Sequence, residues 1–301
     1  MKLIKISLSI FCILILSISI LFGLVLINKN KNSIFKEIYM PKISEKKWDP
    51  SQYNEGSKMQ LNTAIELLQS IDFSSAGSLL DIGCGDGKIT SLIAEKNSHL
   101  KVIGLDISAD MIKYAKSTYS KLSNLNFVVG DAHQINYKNK FDFIVSFWAL
   151  SWIIDHGALI NSVYQALNPG GDLFLLIPEN NQYLFEATKY MENLPQWSEY
   201  FKNVFFHYNH ANFELYRELI NYYNLDKLYL KKKRISYKFS FDEEMILYIK
   251  GWLPHLEYIP KDKHLIFMQQ LLMHYKKNML NNKQDPNIIF YDCVLVHGNK
   301  V

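Results

Sequence analysis

The sequence has almost no arginine. Arg217 and Arg234 are the only two among 301 residues, so lysine carries nearly all the positive charge. Lysine acts on phosphate as a point charge and lacks the planar fork that reads phosphates bidentately. The net charge is only +4, and no concentrated basic face is visible, so no nucleic acid is expected as a partner. Cysteine is also scarce, with Cys12, Cys84 and Cys293 alone. No two of them have metal-ligand spacing, so neither a metal site nor a disulfide framework is expected. Cys84 reads as a small packing residue in a reducing compartment. Internal repeats and low-complexity tracts are absent beyond the first segment of the chain.

Charge is missing altogether from Ile6 to Ile27. As a helix, that run would reach about 33 Å, enough to span a bilayer core. A cleavable signal carries a shorter apolar run and a small-residue cleavage site, which is not evident here. The expectation is a transmembrane anchor over residues 1–28, in the membrane through residues 6–27; the alternative is a cleaved signal and secretion. Lys29, Lys31, Lys36, Lys42, Lys46 and Lys47 follow, making residues 29–47 a lysine-rich linker. By the positive-inside rule the domain behind it, residues 48–301, is cytoplasmic.

From Trp48 onward the pattern is periodic. A helix is expected near 55–71, where Met59, Leu61, Ile65 and Leu68 recur at helical spacing. Apolar runs at 78–83, 101–108, 126–132, 141–150 and 172–179 then alternate with helical stretches at 88–97, 109–122 and 156–171. Continuous apolar strands alternating with helices describe a parallel sheet covered on both faces, a doubly wound α/β domain. After residue 180 the alternation loosens. An aromatic-rich segment (181–210), a helix near 212–223, a β-like stretch (229–240) and helices over 242–280 precede a last strand at 287–298. "KKKR" (231–234) reads as the solvated face of an edge strand.

The first strand ends in "LLDIGCGDGKIT", residues 79–90. Gly83, Gly85 and Gly87 remove side chains where a ligand must approach, at the carboxyl edge where open α/β sheets bind ligands. The spacing is D-x-G-x-G-x-G, neither the G-x-G-x-x-G of a dinucleotide fold nor a phosphate-cradling P-loop. Asp81 beside the turn suits an ammonium group better than a pyrophosphate, which it would repel. Asp106 closes the second run, where a carboxylate can accept from both ribose hydroxyls. Asp131 follows the third, where it can accept from a purine amine. Ammonium, ribose and adenine in series describe S-adenosylmethionine.

With "LLDIGCGDG", "GLDIS", "GDA", "FDFIVSFWALSW" and "LNPGGDLFLLIPE", the chain resembles the class I S-adenosylmethionine-dependent methyltransferases over residues 48–179. The resemblance implies a Rossmann-like, seven-stranded, mostly parallel sheet whose last strand is antiparallel. It implies that Asp81, Gly83 and Gly85 lie near the methionine portion of the cofactor and that Asp106, with Ile107 beside it, holds the ribose. Asp131 and Ala132 would hold the adenine, with Met111 packing on its face. "WDPSQYNEGSKMQLNTAIELL" (48–68) together with "SFWALSW" (146–152) is similar to the branch containing trans-aconitate and juvenile hormone acid methyltransferases, which methylate carboxylates. That likeness implies Tyr53, Gln60 and Trp152 as residues positioning the acceptor. Ser151 stands where the branch commonly has histidine. The expected partner is a small or lipid-like carboxylic acid, with residues 180–286 supplying lid or acceptor-pocket segments. The alternatives are methylation of nitrogen or of a hydroxyl on the same fold, or a tethered module that binds the cofactor without turnover.

The residues add their own argument. Amino methylases of nucleobases carry N/D-P-P-Y/F after the fourth strand, whereas this chain has Phe147-Trp148-Ala149-Leu150. A carboxylate is already ionised at neutral pH and needs donors and dry walls rather than a general base. Gln60 and Trp152 can supply such donors.

Overall fold

The structure is a computed structural model and describes residues 42–43, 46–206 and 212–301. Seven strands form one sheet: β1 (Ser78–Ile82), β2 (Lys101–Asp106), β3 (Leu125–Val129), β4 (Phe141–Phe147), β5 (Leu167–Asn180), β6 (Leu225–Lys238) and β7 (Ile288–Lys300). Their spatial order is β3-β2-β1-β4-β5-β7-β6. β1 to β5 pair in parallel, and β7 runs antiparallel to both β5 and β6. The last strand is therefore the reversed one, as expected. The chain turns back between β1 and β4, which opens a crevice at their carboxyl ends.

The apolar runs dictate this arrangement. Along β5, Leu173, Leu175 and Ile177 face one core and Phe174 and Leu176 face the other, all of them buried. Burying each contributes about 1.5–3 kcal/mol. The helices are α1 (Pro50–Gly56), α2 (Lys58–Leu68), α3 (Lys88–Lys96), α4 (Ala109–Thr118), α5 (His156–Ala166), α6 (Gln182–Asn193), α7 (Pro195–Phe201), α8 (Phe213–Tyr222), α9 (Asp242–Trp252) and α10 (His264–Asn281). Met59, Ile93, Leu184, Trp197, Tyr248 and Phe267 bring α2, α3, α6, α7, α9 and α10 onto the Phe174 face. Leu159 and Val163 of α5, with Tyr216 and Ile220 of α8, cover the other. The sheet is doubly wound.

Local differences have local causes. The helix expected over 55–71 is broken at Ser57, where Gly56 presses against α9; a Cβ on Gly56 would stand 2.5 Å from the Leu247 carbonyl oxygen. The helix expected over 156–171 stops at Ala166, because Pro169 has no amide hydrogen to donate and Gly170 adopts φ 76°. The strand expected over 141–150 stops at Phe147, and a 3₁₀ turn over Leu150–Trp152 follows. β6 is an edge strand, and three of the four residues of its basic run are paired: Lys232 with Glu179 at 3.4 Å, Lys233 with Glu66 at 2.7 Å and Arg234 with Asp292 at 2.7 Å. Lys42–Ile43, from the expected linker, pairs in parallel with Val204–Phe205.

The membrane expectation is corrected. Among the described residues, no helix is long and apolar enough to cross a membrane. The longest described helix, α10, has 18 residues, buries Phe267, Leu271 and Tyr275 on one side and carries His274, Lys276 and Lys277. The run 6–27 lies outside the described residues. The transmembrane helix is withdrawn from the fold, and with it the single-pass membrane localisation and its cytoplasmic orientation.

Candidate active site

The crevice opens into a cavity of about 980 Å³ at the carboxyl edge of the sheet. That is at the upper end of the usual size for small-molecule sites, about 300–1,000 Å³. Gly83, Gly85, Asp106, Ile107, Met111, Asp131 and Ala132 line it, and so do Tyr53, Gln60 and Trp152. Asp81 alone among the expected site residues does not. It stands behind the glycine turn, facing a water-sized pocket of about 20 Å³.

The turn is held from below and from the side. The Gly83 and Cys84 amides donate to the Leu105 carbonyl at 2.7 and 3.1 Å, and the Gly85 amide donates to Asp106 Oδ2 at 2.9 Å. Asp106 Oδ1 accepts from the Ser108 amide at 2.8 Å, and the Ser108 hydroxyl caps α4 at Met111. One carboxylate thus joins the glycine turn to the start of α4, and Asp106 lines the cavity with lone pairs left on each oxygen beyond these amide contacts. Burial pushes the Asp106 carboxyl above the ordinary aspartate range, against the pull of its two amide donors. Asp81 is buried and accepts from Thr90 Oγ1 at 2.6 Å. Burial, opposed by that hydroxyl and reinforced by Asp106, pushes its carboxyl up to about 7.

Asp131 ends the β3 segment and caps the 3₁₀ turn Ala132–Gln134. Its Oδ1 accepts from the His133 amide at 2.9 Å and lies 2.7 Å from His133 Nδ1. These contacts hold the Asp131 carboxyl below the usual range, the backbone amide contributing most. His133 lines the cavity, and its Nε2 is buried without a hydrogen-bond partner among the described residues.

α1 and α2 cover the turn. Asn54 Nδ2 donates to Asp86 Oδ2 at 2.9 Å, and Lys88 Nζ donates to the Asn54 carbonyl at 2.8 Å and to Ser57 Oγ at 3.1 Å. On its outer side Gln52 Nε2 donates to the Lys250 carbonyl of α9 at 2.9 Å. α1 therefore bridges the glycine turn and α9. Tyr53 points inward, and burial, followed by the charges of Asp86, Asp106 and Asp81, pushes its hydroxyl far above the ordinary range. Trp48 stands edge-on to both Tyr53 (5.7 Å) and Trp152 (5.1 Å), so it joins two of the expected acceptor residues. The sequence marked Trp48 only as the start of a similar segment. Nothing local to it announces a contact with a residue about a hundred positions away.

The far wall is aromatic. Trp148, Tyr248, Trp252 and Tyr291 line it, with Asn181, Leu184 and Phe185 from α6 and its cap. The segment 180–286 thus supplies much of this end of the cavity. Around the whole lining the charged side chains are Asp106, Asp131, Glu179 and Glu186; no lysine or arginine is among the described lining residues.

A chain with this sheet order, this glycine turn and these strand-end acids is built as a class I methyltransferase. The comparisons agree. A family model described as a methyltransferase domain matches residues 73–241, more than half of the chain, and the chain belongs to that family. It is 29% identical over 230 residues to 235L of Invertebrate iridescent virus 6, a protein with a methyltransferase name, covering 76% of this chain and 85% of that one. It is 33% identical over 136 residues to the trans-aconitate 2-methyltransferase of Deinococcus radiodurans, covering 45% of this chain and 51% of the relative, so the match spans about half of that protein. The fold is similar to that of a Haemonchus contortus phosphoethanolamine N-methyltransferase 2 solved with S-adenosyl-L-methionine. The TM-score is 0.55 at 17% identity, over 84% of this chain and 57% of that one. The protein is an S-adenosylmethionine-dependent methyltransferase near the trans-aconitate branch.

Proposed function

We propose that this methyltransferase esterifies the carboxylate of a small or lipid-like organic acid, with Gln60, Trp152 and Tyr53 positioning the acceptor. The observation that carries this reading is the lining of the cavity, where indole and amide groups stand among aromatic walls and no lysine or arginine is among the described lining residues. A carboxylate needs no proton removed before it attacks. It needs hydrogen-bond donors to aim it and apolar walls to strip its water, and the rate comes from that placement. The named trans-aconitate relative supports an acid as acceptor.

Asp106 suits the ribose hydroxyls, Asp131 and Ala132 the adenine edge, Met111 and Ile107 the adenine and ribose faces, and Gly83 and Gly85 the methionine portion. The glycine turn fits this use, because a Cβ on Gly85 meets nothing closer than Tyr53 Cε1 at 3.7 Å, leaving its cavity side to a ligand. Asp81 acts through the turn, as a buried charge behind it. When bound, S-adenosylmethionine supplies a methyl group on a positively charged sulfonium, so a single acceptor carboxylate needs no lysine opposite it. Further carboxylates on one acceptor would meet the acidic side chains Glu179 and Glu186, with no lysine or arginine among the described lining residues to offset them. The favoured acceptor therefore carries one carboxylate.

The test supplies the full chain with methyl-labelled cofactor and a panel of monocarboxylic acids of increasing chain length, beside trans-aconitate, octan-1-ol and octylamine. The expected result is label that mild alkali releases as methanol, strongest with a monocarboxylate. Alkali-stable label on the amine or the alcohol would refute the carboxylate reading.

A further inference from the structure

The turn after β4 holds a residue for which the sequence offered no role. Trp148 adopts φ 65°, in the left-handed region. A bulky L-residue is held there only when its surroundings over-determine it, and such positions cluster at active sites. The surroundings are visible. The next residue, Ala149, packs so closely under the glycine turn that a Cβ on Gly83 would come 2.1 Å from its Cβ. Holding Ala149 there fixes the direction of the chain, and Trp148 absorbs the bend.

The bend leaves the indole in the cavity wall. Trp148 is 8% exposed, lines the cavity and stands edge-on to Tyr291 at 5.5 Å. Its Nε1 is buried and has no hydrogen-bond partner among the described residues. A buried indole N–H ordinarily finds an acceptor, and one left without it calls for a missing partner. Trp152, the expected donor, is 38% exposed and packs on Trp48. The deep donor of this turn is therefore Trp148.

We propose that Trp148 Nε1–H donates a hydrogen bond to the carboxylate of the acceptor, making Trp148 an acceptor-binding residue beyond Gln60, Trp152 and Tyr53. The inference rests on the carboxylate reading given above. It also explains why a strained position keeps the largest side chain, which offers a rigid apolar body and one donor.

The test uses the full chain saturated with S-adenosylhomocysteine and octanoate as probe. Trp148→Phe keeps a ring and removes only the donor and part of the area. Loss of a hydrogen bond to a charged group should weaken octanoate binding about tenfold to a hundredfold. Binding of S-adenosylhomocysteine should stay within about twofold, and octan-1-ol, whose neutral hydroxyl accepts a weaker hydrogen bond, should weaken by only about twofold to tenfold. In the wild type, one indole ¹⁵N–H resonance should move downfield on adding octanoate, and it should be the one absent from the Trp148→Phe spectrum. Equal octanoate binding by wild type and variant, or no downfield indole shift in the wild type, overturns the proposal. If the wild type holds octanoate no better than octan-1-ol, the carboxylate reading itself fails, and this inference falls with it.

Discussion

Gly83 and Gly85 differ by two positions and should respond to the same substitution in opposite ways. Both have positive φ, 70° and 54°. An L-residue in that region pays about 1–2 kcal/mol. At Gly83 the added Cβ would also stand 2.1 Å from the Ala149 Cβ, whereas favourable carbon contacts lie at about 3.5–4.0 Å. Ala149 follows strained Trp148 and has little freedom to retreat. Gly83→Ala should therefore lose roughly 3 kcal/mol or more, strain and overpacking together. At Gly85 the new Cβ meets only Tyr53 Cε1 at 3.7 Å, ordinary contact, so the fold loses just the conformational penalty. Its cost falls on the ligand instead, which must back away from the turn. Thermal unfolding and calorimetric titration with S-adenosylhomocysteine separate the two. Gly85→Ala should stay folded with a midpoint a few degrees lower and bind about tenfold or more weaker, by the overpacking cost of about 1–3 kcal/mol. Gly83→Ala should unfold far earlier, and adding Ala149→Gly should restore part of the loss. A Gly83→Ala protein as stable as the wild type, or a Gly85→Ala protein with undiminished affinity, would refute this division of roles.

Asp106→Ala should weaken S-adenosylhomocysteine by about tenfold to a hundredfold, the worth of hydrogen bonds to a charged acceptor. It also frees the Gly85 and Ser108 amides, so its unfolding midpoint should drop as well, and titration calorimetry beside a melting curve reads both. Asp81 predicts a pH dependence. Its folded carboxyl lies at about 7 against 3.8 for the free group, so the folded state holds a proton that the unfolded state has released between those values. The stability it confers is present at low pH and is lost as pH rises through 7, by on the order of 4 kcal/mol in all. Asp81→Asn keeps an acceptor for Thr90, so it should be more stable than wild type at pH 8 and little different at pH 4. A ligand ammonium favours the ionised carboxylate, so wild-type affinity for S-adenosylhomocysteine should rise from pH 6 to 8, and that rise should vanish in Asp81→Asn.

The sheet was legible because its signals are local. Apolar runs that end in Gly83, Asp106 and Asp131 announce both the strands and the edge where the cavity opens, and all three of these residues line it. Asp81 fell behind the turn because β strands alternate sides: its side chain points to Thr90 of α3, not outward. Distant contacts were not legible. The bridge from Asn54 to Asp86 and Lys88, and from Gln52 to α9, joins residues up to 198 positions apart, and only the folded chain brings them together. Trp148 looked like one more strand residue in "FDFIVSFWAL". Its left-handed backbone comes from Ala149 packing under Gly83, a constraint that no periodicity carries.

The most direct test of the central claim, that the cavity at the carboxyl edge of the sheet is the cofactor site, is calorimetric titration of the full chain with S-adenosylhomocysteine, beside NAD as control. The account predicts micromolar binding of the first, greatly weakened in Asp106→Ala, and none of the second. A folded chain that binds no S-adenosylhomocysteine, or binds it equally well without the Asp106 carboxylate, would contradict it.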